Sequence, residues 1–276
     1  LYMAYSLYAM KLPGPEDKLP LEQTQALWQE TVEQQIFVLC KTRMAESITR
    51  RTLVGYQDWI VNTTYIPHLL ERMENDPQRL AKKLQRTDTW GKEGQPMKFD
   101  AIVGNPPYQE MDGGNNASAV PLYQLFMEQA ILVEPHYISM IMPARWYSGG
   151  RGLDKFRSEM LNDERLCKMM DFSDSNDCFP GVDIAGGVCY FLWDKSAHGE
   201  CKVISVHNGK QSISERKLNE YDTFIRFKEA ISIIKKIQLR ESKFYSERVS
   251  SQKPFGLRTY VKPTESGDIK LRYSGG

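Results

Sequence analysis

The region between residues 97 and 195 most constrains the fold, because short apolar runs alternate there with amphipathic stretches. The pattern predicts strands at FDAIVG, YISMIMP, CKMMDF and GGVCYFLW, and helices at VPLYQLFMEQAIL and GLDKFRSEML. The resulting order is β-α-β-α-β-β. The strands are continuous apolar runs, which is typical of strands covered on both faces. We therefore expect an α/β fold with a parallel sheet.

The flanking regions have a different character. Residues 1–96 show helical spacing of apolar side chains and no convincing strand. From Cys201 onward the sequence is polar and basic, with one amphipathic helix predicted at YDTFIRFKEAISIIKKI and a loop-rich end. We expect three regions: a mainly helical one over 1–96, a central one over 97–200 and a basic segment over 201–276.

Charge is unevenly distributed along the chain. Residues 201–276 hold 16 Lys and Arg against 8 Asp and Glu, whereas the remainder holds 20 against 27. The basic charge of residues 201–276, beside an acidic remainder, favours binding of this segment to a polyanion. A basic surface that contacts only solvent explains the charge equally well.

Membrane and disulfide classes receive little support. No stretch approaches the roughly 18 consecutive apolar residues of a membrane-spanning helix, and the start lacks a basic leader with a cleavage site. We expect a cytoplasmic location and no membrane partner. The five cysteines form no CxxC pair, so we expect free thiols and no metal site.

The segment Asn105-Pro106-Pro107-Tyr108 follows the predicted strand FDAIVG directly. Proline cannot donate to a sheet ladder, so the two prolines end the strand in a rigid loop. In an open α/β sheet, ligands lie beyond the carboxyl ends of the strands. The Asn105 amide oxygen and the Pro106 carbonyl could there accept hydrogen bonds from both N–H groups of one exocyclic amine. Tyr108 offers a flat face to a planar base. The sequence of this loop therefore predicts a binding site that holds a planar amine by two hydrogen-bond acceptors and one aromatic face.

These residues, with the downstream run from SAVPLYQLFMEQA to DCFPGVDIAGGVCYFLW, resemble the N6-adenine DNA methyltransferases of the restriction-modification methylase family. The resemblance covers roughly residues 97–195. It implies part of a Rossmann-like methyltransferase sheet, S-adenosyl-L-methionine as cofactor and an adenine flipped out of double-stranded DNA as substrate. It also implies that Asn105, Pro106, Pro107 and Tyr108 are the catalytic residues, that 97–200 is the catalytic region and that 201–276 leads into target recognition.

Further site residues follow by position in that family. An aromatic before the last strand stacks on the flipped base, and Phe179 occupies that place; a core aromatic under the loop is the alternative. Arg145 and Arg151 beside glycines, with Lys253 and Arg258 in the basic tail, are candidates for DNA phosphate contacts, although plain surface charge explains each more simply. We interpret Asp171, Asp174, Asp177 and Asp183 as turn and capping residues.

The Gly-rich loop that holds the methionine part of the cofactor in this family has no match upstream of Asn105. Three explanations remain open: the half of the sheet that carries this loop is cut away, the numbering closes over a gap there, or the protein is a degenerate relative that has lost it. No cofactor-binding residue is therefore assigned. We interpret the chain as part of a longer polypeptide whose partners are DNA and the remaining domains or a restriction subunit. The alternatives are a catalytically degenerate DNA-binding subunit and an amino-methyltransferase acting on RNA or on a protein glutamine.

Overall fold

The computed structural model describes residues 1–12, 19–109, 120–150 and 152–239. The chain divides into two compact units, residues 1–226 and 227–276. Within the described residues, no helix is long and apolar enough to cross a membrane. The assignment of 1–96, 97–200 and 201–276 to three functional regions stays a prediction.

Eight α-helices occur in the described residues: α1 (Tyr2–Met10), α2 (Leu21–Gln35), α3 (Arg43–Val54), α4 (Leu69–Asn75), α5 (Pro77–Leu84), α6 (Tyr123–Leu132), α7 (Asp154–Asn162) and α8 (Lys228–Gln238). Eight strands accompany them: β1 (Phe37–Cys40), β2 (Asn62–Tyr65), β3 (Ala101–Gly104), β4 (Tyr137–Pro143), β5 (Leu166–Phe172), β6 (Val188–Asp194), β7 (Cys201–His207) and β8 (Lys210–Arg216). The helices and strands predicted between residues 97 and 195 are therefore confirmed, with ends that differ by a few residues.

Local chemistry explains where several helices start. Thr42 accepts a hydrogen bond from the Ala45 backbone N–H at 3.0 Å and so caps α3. Asp76 caps α5 in the same way, and Pro77 at the first helical position needs no hydrogen-bond acceptor. The predicted helix near residues 221–237 is confirmed as α8, which belongs to the second unit.

The expectation that residues 1–96 hold no strand is wrong. β1 and β2 pair in parallel as a separate two-stranded sheet. The buried amide of Asn62 donates to the carbonyl oxygens of Glu33 and Ile36, each at 2.9 Å, and thereby satisfies the end of α2 where β1 begins. Both strands have only four residues, and the residues of β2 are mostly polar, so neither strand shows a periodicity that separates it from the adjoining helices.

The larger sheet has six strands in the order β3-β4-β6-β5-β7-β8. β3 pairs in parallel with β4, and β5 pairs in parallel with β7, but β6 runs antiparallel to both β4 and β5. The α/β class is confirmed, whereas a purely parallel sheet is wrong. β6 reads as a continuous apolar run, and such a run is expected of a buried strand whether it is parallel or antiparallel to its neighbours. The sequence pattern therefore does not reveal the orientation of β6.

The strands β7 and β8 were not expected in the basic segment. They form a hairpin whose turn residues, Asn208 and Gly209, have φ values of 51° and 71°. An Asn-Gly pair with both φ values positive is the strongest short-range signal of a two-residue hairpin. That signal was available in the sequence as VHNGKQ.

One large apolar cluster joins the sheet to α6 and α7. Its largest fully buried side chains are Trp146, Trp193, Tyr123 and Phe191. Burying a side chain of this size contributes about 2–3 kcal/mol, so the cluster fixes the sheet and with it the loops at its edge.

Candidate active site

The strands β3, β4, β5 and β7 all end at the same edge of the large sheet, which we name the carboxyl edge. β6 runs the opposite way and therefore begins there. The loop after β3, the segment after β4 and the loop between β5 and β6 consequently meet at this edge. Ligands of open α/β sheets bind in this position.

Asn105 is the first residue after β3 and its side chain is exposed, while Pro106 is buried. Pro107 and Tyr108 are half-buried. The loop is held at its far end, where the Leu122 backbone N–H donates to the Tyr108 carbonyl at 3.3 Å. The structure thus buries Pro106 and leaves Asn105 exposed at the carboxyl edge.

Tyr108 is near enough to two cysteines, one before and one within β6, for their thiols to affect its hydroxyl. Burial raises the pKa of the Tyr108 hydroxyl, and the nearby thiols of Cys178 and Cys189 raise it further. Cys178 is the neighbour of Phe179 in the sequence, and Cys189 is the second residue of β6. Two segments about 70 residues apart in the sequence are therefore brought together at the carboxyl edge.

Phe179 lies in residues 173–187, which we name the Phe179 loop. A short 3₁₀ helix (Ser175–Asp177) opens this loop, and the Phe179 backbone N–H donates to the Ser175 carbonyl at 2.7 Å. The ring packs against a small buried cluster of Phe172, Val188 and Val206 and remains half-buried. The core supports one part of the Phe179 ring and leaves another part accessible. The stacking role of Phe179 stays a prediction.

Of the candidates for phosphate contact, Arg145 lies in the part of the chain that the structure describes. Arg145 is exposed and lies in the 3₁₀ helix (Ala144–Tyr147) that follows β4, so it is at the carboxyl edge. Arg151, Lys253 and Arg258 lie outside the described residues, as does the Gly- and Asn-rich stretch that follows Tyr108.

Two of the aspartates behave differently from each other. Asp174 caps the 3₁₀ helix by accepting from the Asn176 backbone N–H at 2.9 Å, as expected of a turn residue. The expectation for Asp171 is wrong, because this carboxylate lies inside β5, is fully buried and forms an ion pair with Arg226 at 2.8 Å. Its position at the end of the apolar run CKMMDF was the signal, since an acidic residue within a buried strand needs a partner.

A cavity of about 640 Å³ opens beside Asn105. Its walls include β1 and β3, each of which is the end strand of its own sheet, and apolar side chains of α3 and α6. Lys41 and Asn105, which follow β1 and β3, also line it. Alternate peptide groups of an end strand point away from its only partner, so two rows of backbone donors and acceptors border this cavity.

Gln129 of α6 also lines the cavity and is 3% exposed. Its Nε2 donates to the Pro77 carbonyl at 3.1 Å, whereas its Oε1 has no hydrogen-bond partner in the described part of the chain. A buried acceptor without a donor is costly, which indicates that a further polar group belongs in this cavity.

The strand order and the Asn-Pro-Pro-Tyr loop at the carboxyl edge define an α/β protein whose candidate site lies where open sheets bind their ligands. A model of the Eco57I restriction-modification methylase family matches residues 34–179. This match covers more than half of the chain. The chain therefore belongs to the Eco57I restriction-modification methylase family, and the resemblance to restriction-modification methylases is confirmed.

Individual relatives agree with this family. A protein of Mycoplasma pneumoniae (strain ATCC 29342 / M129 / Subtype 1), described as an uncharacterized adenine-specific methylase, is 35% identical over 134 residues, which are 47% of this chain and 31% of that protein. The chain thus spans about a third of the length of that relative.

Two solved structures are similar over larger parts of the chain. A modification subunit assigned to a type I restriction enzyme of Vibrio vulnificus YJ016 is 12% identical, with a TM-score of 0.42, over 85% of this chain and 45% of that chain. The M protein of the type I restriction enzyme EcoKI is 15% identical, with a TM-score of 0.39, over 68% of this chain and 38% of that chain. Both TM-scores lie below 0.5, so the fold of this chain rests on its own strand order.

Proposed function

We propose that this chain is the catalytic part of an S-adenosylmethionine-dependent DNA methyltransferase that modifies N6 of adenine in a restriction-modification system. The observation that carries the proposal is the placement of the Asn105–Tyr108 loop and the Phe179 loop at one edge of the sheet, with Asn105 exposed. Membership of the Eco57I family and the adenine-specific methylase relative support the substrate.

The proposed chemistry uses the rigidity of the Asn-Pro-Pro-Tyr loop. The Asn105 amide oxygen and the Pro106 carbonyl oxygen accept hydrogen bonds from the two N–H groups of the adenine N6 amine. This pair of hydrogen bonds shifts electron density onto nitrogen and orients its lone pair towards the methyl group of the donor. A new N–C bond would form as the C–S bond of the donor sulfonium breaks, the sulfur would leave as a neutral thioether, and one N6 proton would pass to solvent. Tyr108 and Phe179 hold the ring, because a base reaches such a site only after it leaves the DNA stack.

The bound cofactor would supply an electrophilic methyl group carried on a sulfonium. The cavity beside Asn105 fits it in part: Lys41 and Asn105 border it at the carboxyl ends of two strands, and Gln129 offers an acceptor. The residues that would cradle the methionine part are missing from the described walls. We infer that a further strand of the protein lies between the unpaired edges of β1 and β3, because backbone groups border the cavity on both sides. The Gly-rich loop that holds the methionine part of the cofactor would follow this strand.

DNA as the partner follows from the proposed substrate. Arg145 is exposed beside the carboxyl edge, where it would contact a phosphate, and the excess of Lys and Arg after residue 200 would hold the backbone of the duplex. Other domains or subunits of a restriction-modification system would complete the enzyme.

The test is methyl transfer from labelled S-adenosylmethionine by the full-length protein. Unmethylated duplex DNA, RNA and a protein extract are offered in parallel, and we expect label in DNA as N6-methyladenine. Asn105→Ala should lower the rate by about 100-fold or more, since it removes one of two fixed acceptors. Asn75→Ala, at the end of α4, is the matched control and should retain the wild-type rate.

The outcomes separate the alternatives. Label in RNA or in protein glutamine would replace the proposed substrate. An absence of both transfer and cofactor binding in equilibrium dialysis would indicate a degenerate DNA-binding subunit. A fully active Asn105→Ala protein would remove the assigned role of the loop.

A further inference from the structure

Arg226 connects three separate parts of the sheet edge. Its Nε lies 2.8 Å from Oδ2 of Asp171 in β5, and its Nη2 donates to the carbonyl oxygen of Gly186 at 2.8 Å. Its guanidinium carbon lies 5.2 Å from the ring centroid of Tyr147, which follows β4. A planar guanidinium with several donors in fixed directions can make all three contacts at once.

The ion pair is well suited to a fixed geometry. Asp171 is fully buried, and only about a fifth of the Arg226 side chain is exposed. Burial raises the pKa of Asp171, while Arg226 and the Tyr147 hydroxyl act to lower it. A buried carboxylate that loses its cation is strongly destabilising, so the guanidinium has little freedom to leave.

The backbone that carries Arg226 is itself held from three sides. The Phe224 N–H donates to the Tyr147 carbonyl at 3.1 Å, and Arg216 Nη2 donates to the Ile225 carbonyl at 2.6 Å. Ser205 Oγ donates to the carbonyl of Arg226 at 3.4 Å. These contacts tie the segment 224–226 to β7, to β8 and to the helix after β4, and they fix the direction in which the guanidinium points.

The second contact of the guanidinium reaches the loop of the candidate site. Gly186 is near the end of the Phe179 loop, and the Gly187 carbonyl accepts from the Ala144 N–H at 3.0 Å. The loop is therefore held at this end by the Arg226 side chain and by the start of the helix after β4. Phe179 lies on the same loop, next to Cys178, whose thiol is near enough to Tyr108 to raise the pKa of its hydroxyl.

We propose that Arg226 is a positioning residue of the methyltransferase site, whose hydrogen bond to Gly186 holds the Phe179 loop against Tyr108 while its ion pair with Asp171 fixes the guanidinium. This inference rests on the proposed function. Arg226 is also the last residue of the first unit.

The variant Arg226→Lys separates positioning from stability. Lysine keeps the positive charge beside Asp171, but a single ammonium cannot also satisfy the Gly186 carbonyl in the same fork geometry. In the full-length protein we expect KM for S-adenosylmethionine and the affinity for duplex DNA to stay within about twofold, while kcat falls by about 10- to 100-fold because the base is misplaced. Amide hydrogen exchange in residues 175–187 should accelerate in the same variant.

The matched control is Arg165→Lys. Arg165 also forms an ion pair with an aspartate, Asp163 at 2.7 Å, and lies over an aromatic ring, that of Trp193 near the far end of β6. We expect this control to lower the melting temperature at least as much as Arg226→Lys does, but to leave kcat and the exchange of residues 175–187 unchanged. Equal losses of kcat in the two variants would overturn the proposal.

A second variant keeps the test valid if the lysine variant is unstable. Asp171→Leu combined with Arg226→Met removes both charges, so no unpaired charge remains buried, and the protein should fold. It still lacks the bond to Gly186, so we expect rapid exchange in residues 175–187 and slow methyl transfer.

Unchanged exchange in that loop would overturn the positioning role whether or not the wild-type protein transfers methyl groups. Methyl transfer that is absent from the wild type, together with accelerated exchange in the variants, would instead overturn the proposed function and retain the positioning role of Arg226 in the fold.

Discussion

The hydroxyl of Ser175 donates to the carbonyl oxygen of Val182 at 2.7 Å, across the turn that carries Phe179. Ser175 Oγ also accepts a hydrogen bond from the Ile184 backbone N–H at 2.9 Å, and Ser175 is almost fully buried. One side chain therefore closes the Phe179 loop from within, at the opposite end from the contact that Arg226 makes.

Ser175→Ala should loosen this loop. The substitution removes two part-buried hydrogen bonds, which together stabilise the fold by about 1–3 kcal/mol of unfolding free energy. Urea unfolding checks the loss of stability, and methyl-transfer kinetics check the effect on the site. Ser6→Ala, which removes an exposed hydrogen bond within α1, should change neither; an equal effect of both substitutions would contradict the closing role of Ser175.

Gly187→Ala should destabilise the start of β6. Gly187 has a φ of 78°, and a Cβ there would overlap the carbonyl oxygens of Phe172 and Ser173. Gly181 has the same φ but open space around it, so it is a matched control for the backbone effect alone. The positive φ costs about 1–3 kcal/mol in both variants, and the overlap adds to it only at Gly187. Equal midpoints of urea unfolding would exclude the overlap.

Acid should weaken the pair formed by Asp163 and Arg165. Burial raises the pKa of Asp163, but hydrogen bonds from Arg165 and Trp193 outweigh it and hold the pKa below its usual value of 3.8. The stabilisation is therefore complete above about pH 5 and is lost as the pH falls through the lowered pKa.

Asp163→Asn should remove this pH dependence and lower the unfolding free energy at pH 7 by about 1–3 kcal/mol. Unfolding free energies measured between pH 7 and pH 3 for the wild type and the variant provide the check. Asp58→Asn, at an exposed carboxylate, is the control. The same acid-dependent loss in wild type and Asp163→Asn would show that other groups cause it.

The buried thiols should resist alkylation in the folded protein. Burial raises the pKa of Cys189 to about 12, and the pKa of Cys201 is also raised to about 12, again chiefly by burial. Iodoacetamide reacts with the thiolate, so at pH 8 we expect these two residues to react after the half-buried Cys167 and Cys178. Peptide mass mapping over time measures the order, and in urea all five should react together. Rapid labelling of Cys189 in the folded protein would contradict its burial.

The amino-acid sequence by itself determined the central alternation of strands and helices, because each of those elements carries its own apolar periodicity. It also determined the Asn-Pro-Pro-Tyr loop, since two consecutive prolines exclude a continuing strand whatever surrounds them. The position of Phe179 before a strand predicts its stacking role from the sequence, and that role stays a prediction.

Only the tertiary structure decided the direction of β6, the pairing of β1 with β2 and the partner of Asp171. The orientation of a buried strand and the pairing of short strands depend on neighbours distant in the sequence, and no local pattern encodes them. The ion pair between Asp171 and Arg226 joins residues 55 positions apart, and a buried carboxylate acquires its partner only when the sheet brings both to the same edge. Apolar periodicity thus decides local elements, whereas the pairing of backbone edges and buried charges decides how those elements form a site.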